Sequence, residues 1–83
     1  MEFKVGDKVR VVQEYYFVKN GFEGKIVSIK PQKNPPIGVR FNKKFDGGHN
    51  LGVLERRGLC RNGYGYWLWP DNLEKVKTKR VKP

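Results

Sequence analysis

The chain has no alanine, a single cysteine, a single histidine and no long apolar run. Each shortage excludes something. One thiol, Cys60, cannot close an internal disulfide, which fits a reducing, cytoplasmic setting. His49 and Cys60 are lone copies of their types, whereas a structural zinc site needs about four such ligands, so neither metal nor cofactor is expected. Without an apolar run there is no membrane-spanning segment. The opening MEFKVGDKV carries no apolar stretch of the kind a secretory leader requires. No stretch sustains apolar spacing of three and four, so no long α-helix is expected.

Acidic residues are also scarce. Eighteen Lys and Arg stand against eight Asp and Glu, a formal net charge of +10 on 83 residues. Such an excess costs self-repulsion in the compact state, and an anionic partner relieves it. Nucleic acids are the longest anionic surfaces a small cytoplasmic protein meets. Eighty-three residues make one domain, and a monomer is expected.

What remains is strand chemistry. The apolar residues are mostly Val, Ile, Leu and aromatics, which suit a pleated, half-buried surface. Lys8-Val9-Arg10-Val11 alternates charge with valine, and a strand is expected over about residues 7–12. A long aromatic connection, Gln13 to Glu23, follows. Asn20-Gly21 marks a tight turn in it, and the connection is expected to double back as an irregular hairpin. Gly24 to Lys30 reads as the second strand. Ile26 and Ile29 are three apart, so a bulge near Val27-Ser28 is needed to turn both inward. Prolines in PQKNPP then break the ladder before a third strand, Ile37 to Phe41.

The second excursion, Asn42 to Asn62, holds four large aliphatics, Leu51, Val53, Leu54 and Leu59. They need cover, and part of the excursion is expected to pack over an open barrel end. Tyr64 to Trp69 is the fourth strand. Pro70-Asp71-Asn72-Leu73 suggests one 3₁₀ turn capped by Asp71, with a short last strand from Leu73 to Val76. Residues 1–76 form the domain, and 77–83 (KTKRVKP) read as a disordered basic tail.

Three stretches carry a resemblance. "VGDKVRVV" followed by "NGFEGKIVSI" resembles a KOW-type element, with Gly21 and Gly24 as its glycines. "WPDNLEKV" resembles the proline, 3₁₀ turn and closing strand of SH3-like domains. "FDGGHNLG…RNGYGYWLWPDNLEKV" looks like small SH3-like proteins of bacteria and their phages. The resemblance implies an all-β fold: a small five-stranded SH3-like barrel with long loops and a 3₁₀ turn before the last strand. Relatives of that fold bind RNA or DNA, proline-rich peptides or methylated tails, so the fold alone does not decide. The Tyr15-Tyr16-Phe17 insertion departs from the KOW pattern. The acidic first loop of peptide-binding SH3 domains is replaced by one with only Glu14 and Glu23.

The candidate site is cationic. Lys8 and Arg10 share the outward face of the first strand, Lys25 starts the neighbouring one, and Arg40 lies on the third. Together they would form a phosphate row, with Lys43-Lys44 and the tail as mobile arms. Removing Lys75, Lys77, Lys79, Arg80 and Lys82 still leaves a net charge of +5, so the body is basic in its own right. Arg56-Arg57 and Arg61 are either an anion clamp or solvated loop charges. By alternation, Tyr66 and Leu68 face inward and Trp67 and Trp69 outward. There the indoles could stack on unpaired bases, anchor a protein partner, or be covered by the second excursion. Gly47-Gly48-His49-Asn50 could cradle an anion through backbone N–H groups, although His49 reads better as a loop-fixing hydrogen bonder. No pair of acids forms an acid/base dyad, and no enzyme is expected. The expected function is non-catalytic, DNA- or RNA-binding with low sequence specificity. The alternative is a protein-interaction module, a phage-type small protein docking on a host protein through exposed aromatics.

Overall fold

The computed structural model describes residues 2–52 and 60–76. The tail 77–83, the Arg56-Arg57 pair, Val53, Leu54 and Leu59 lie outside the described residues.

Five antiparallel strands form one sheet: β1 (Lys8–Val11), β2 (Glu23–Ile29), β3 (Ile37–Phe41), β4 (Gly65–Leu68) and β5 (Leu73–Lys75). Their order is β4-β3-β2-β1-β5, so the last strand returns to lie beside the first. A 3₁₀ turn, Pro70–Asn72, separates β4 from β5, and no α-helix occurs among the described residues. The protein is all-β. Every strand falls within two residues of its expected bounds.

Alternation decides the core. Val9 and Val11 of β1, Ile26 of β2, Ile37, Val39 and Phe41 of β3, Leu68 of β4 and Leu73 of β5 form one buried cluster, joined by Val18 from the first loop. Burying each such aliphatic side chain contributes about 1.5–3 kcal/mol. The register of β2 against β3 slips between Ile26 and Ser28, and this bulge turns Ile29 against the core. Gly24 faces Phe41 across that ladder, and a Cβ there would stand within 2.3 Å of the Arg40 carbonyl oxygen, so only glycine lets the two backbones come so close.

The first loop does double back, through two turns. Tyr15 and Val18 exchange backbone hydrogen bonds of 3.1 and 3.0 Å around a Tyr16-Phe17 turn, with Tyr16 at φ 52°. The Phe22 N–H then donates to the Lys19 carbonyl, closing the Asn20-Gly21 turn with Gly21 at φ 94°. Phe17 lies directly on Gly47, where a Cβ would sit 2.2 Å from its ring. That contact ties the first loop to the second excursion.

Asn72, not Asp71, organises the 3₁₀ turn. Its Oδ1 accepts from the Trp69 N–H at 2.9 Å and its Nδ2 donates to the Gln13 carbonyl at 3.0 Å. Asn72 is buried and Asp71 is exposed, which explains why the amide performs the capping.

Candidate functional site

Strand register converts a scattered set of cations into two rows of opposite character. Lys8 faces Lys25 across β1 and β2, and Lys25 faces Arg40 across β2 and β3. The three cations therefore stand abreast, perpendicular to the strands, at the inter-strand spacing of about 4.8 Å. Among the described residues, neither Lys8 nor Lys25 makes an ion pair. Beneath the row lies a groove of 450 Å³, lined by Lys8, Lys25, Arg40, Asn42 and also Glu23.

Arg10 belongs to the other row. It faces Glu23 on β2 and Glu74 on β5. Its Nη1 donates to Glu23 at 3.1 Å, and Nη2 and Nε donate to one Glu74 oxygen at 2.8 and 3.1 Å. The hydrogen bond to Glu74, then that to Glu23, raises the Arg10 pKa above its ordinary value. Arg10 was expected in the phosphate row; it is instead clamped between two carboxylates. Of the four residues expected together, Lys8, Lys25 and Arg40 face one another across three strands, and Arg10 stands apart from them with its two carboxylates. Lys75 is likewise engaged, 3.6 Å from Asp7.

The loop cations divide as well. Lys43 is exposed beside the first-loop turn, lining a small depression with Asn20, Gly21 and Phe41. The Lys44 stem lies against Gly63, where a Cβ would meet its Cγ and Cε at 2.8 Å. Lys44 is itself exposed, with its aliphatic stem laid along the Gly63 backbone.

The outward surface of β3 and β4 is partly covered. Leu51 and Cys60 form a second buried cluster with Val27, Tyr64 and Trp67 packed against it. A Cβ on Gly65 would stand 2.5 Å from Cys60 Sγ and 2.7 Å from Leu51 Cγ, so the glycine admits this cover. Part of the second excursion was expected over a barrel end: its Phe45 packs against the core beside Phe22 and Phe41, while its Leu51 packs on the sheet's outer face. Burial raises the Cys60 thiol pKa, and nearby Arg40 opposes the shift.

Tyr66 and Leu68 turn toward the core, and Trp67 and Trp69 away from it, as alternation requires. Trp67 is half-buried, with Lys33 Nζ 4.9 Å from its ring centroid. Trp69 is exposed, beyond the end of β4 at the entry to the 3₁₀ turn. Lys33 is a residue that sequence reasoning missed, because only the folded connection brings it over Trp67.

In the Gly47–Asn50 segment, the two central N–H groups are already engaged by backbone carbonyls. The Gly48 N–H donates to the Phe45 carbonyl at 3.0 Å and the His49 N–H to the Gly65 carbonyl at 2.9 Å. Farther on, the Leu51 N–H donates to His49 Nδ1 at 3.1 Å and the Gly52 N–H to Asn50 Oδ1 at 2.8 Å. His49 therefore fixes the loop. Burial first, and Lys33 second, push its pKa below the ordinary 6.5. No group of three potential metal ligands occurs among the described residues.

Compared with known protein families, curated proteins and solved structures, the chain matches none.

Proposed function

We propose that this protein is a non-catalytic nucleic-acid-binding module that holds the phosphate backbone on the outer surface of β1–β2–β3, with little sequence preference. One observation carries the reading: Lys8, Lys25 and Arg40 face one another in register. Like charges directly opposite on neighbouring strands destabilise a sheet. A polyanion laid across the row offsets that repulsion and releases its own counterions. The strand order and the 3₁₀ turn before β5 support an SH3-like reading of the fold, with Gly21 and Gly24 as the KOW-like glycines.

The test is a salt titration of binding to single- and double-stranded oligonucleotides. Affinity should fall steeply as salt rises. Lys8→Glu with Lys25→Glu should abolish binding while the circular dichroism spectrum stays that of the parent. Arg10→Gln should leave affinity within about twofold, since its charge is already matched by Glu23 and Glu74. Binding that persists in the double variant at moderate salt refutes the assignment.

A protein-docking reading has its own observation. Tyr16 is 73% exposed, Phe17 54% and Trp69 39%. Exposed aromatics of this kind anchor protein partners. A partner retained from nuclease-treated lysate, and lost on Tyr16→Ala with Trp69→Ala, would favour that reading over the first.

A further inference from the structure

The outer face continues past Arg40, where Leu51 and Cys60 cover Gly65. Arg40 faces Gly65 on β4, and Trp67 stands two residues farther along the same outward face, opposite Gly38. Alternate residues on a strand are about 7 Å apart, so Trp67 stands about that far along β4 from Gly65, the residue that faces Arg40. Its ring is backed by Gly38, where a Cβ would meet Cζ3 at 3.1 Å and Cη2 at 3.2 Å. With Lys30, Lys33, His49, Leu51 and Gly52 it lines a depression of 410 Å³, within the size range of small-ligand sites. Among the described residues, Lys30 and Lys33 make no ion pair.

Resting on the nucleic-acid reading above, we propose that this depression is a stacking subsite for one unpaired nucleobase, which makes single-stranded nucleic acid the preferred partner. Bases in a duplex are stacked on one another and present no open face to a protein ring, whereas an unpaired base does. The site combines an indole held from behind with two flanking ammonium groups, so a base and its own phosphate are both provided for. Lys33 now lies over the ring. An exposed cation–π contact is weaker than base–indole stacking, so an incoming base displaces the ammonium. The freed Lys33 then remains within reach of the phosphate. A duplex can use the row of Lys8, Lys25 and Arg40 but leaves Trp67 unused.

The full chain carrying Trp69→Phe leaves Trp67 as the one indole. Its emission is followed while an oligothymidylate, a duplex of the same length and an inorganic polyphosphate are titrated in. The single strand should quench Trp67 and bind about fivefold or more tighter than the duplex. Duplex and polyphosphate should bind through charge and leave the emission unquenched. Trp67→Leu, which keeps apolar cover for Leu51, should lower single-strand affinity by about fivefold or more and leave duplex affinity unchanged. Equal affinity for all three without quenching overturns the subsite while the polyanion reading stands. Failure of all three to bind overturns both.

Discussion

Arg10 and Lys25 sit on the same outward surface, yet they meet different neighbours. Alternation with Val9 and Val11 makes the outward direction of Lys8 and Arg10 legible in the sequence. What each would face across the sheet is not, because that depends on register between strands far apart in the chain. Glu23 and Glu74 come from the first-loop boundary and the last strand, and only pairing delivers them to Arg10. The same holds for Lys33 over Trp67. His49 is a case where local chemistry sufficed: a lone histidine among glycines is more readily a loop fastener than a base. Its Nδ1 must be unprotonated to accept from the Leu51 N–H. Burial and Lys33 lower its folded pKa, and Tyr66, whose ring centroid is 5.1 Å away, adds no opposing charge at neutral pH. The folded state therefore favours neutral His49. Its contribution is present above about pH 6.5 and is lost as pH falls through the lower folded value. Melting temperatures measured from about pH 7.5 down to about pH 5 should fall more for the parent than for His49→Ala. Parallel curves would remove His49 from the account.

At the level of elements, strand positions were readable because Val, Ile and aromatics alternate with charge, and the bulge because Ile26 and Ile29 are three apart. The Tyr16-Phe17 turn was not, because neither residue is a turn former and Tyr16 takes a positive φ that aromatics rarely adopt. The place of Leu51 was also hidden. Gly38 and Gly65 open the outer face of β3 and β4 to Leu51, and a missing side chain leaves no mark in a hydropathy pattern. Glycine matters equally at the β2–β3 crossing. A Cβ on Gly24 would press on the Arg40 carbonyl oxygen at 2.3 Å and the Phe41 Cα at 2.8 Å, and both are backbone atoms that cannot swing aside. Gly24→Ala should therefore destabilise by about 3 kcal/mol in urea denaturation. It should also weaken polyanion binding, because Lys25 and Arg40 lose their register. A variant as stable as the parent would mean that the ladder yields at little cost.

Across the molecule, the charge excess is only lightly compensated. The described ion pairs engage Glu23, Glu74 and Asp7, all partly exposed, and such pairs contribute little individually. The net charge of +10 repels itself over distances that salt screens, with a Debye length of about 10 Å at 0.1 M. Raising salt from about 0.02 to 0.2 M should therefore raise the melting temperature while it weakens polyanion binding. A melting temperature that falls instead would show that the Arg10 and Lys75 pairs outweigh the general repulsion.

The two margins of the sheet have a consequence of their own. Beyond β4, the His49–Gly65 bridge occupies backbone groups that would otherwise lie open. Beyond β1, the closing strand β5 has three residues, two of them the charged Glu74 and Lys75. Among the described residues, neither border is a long, flat, apolar template onto which another copy could zip, which disfavours fibril growth by strand addition at these two edges.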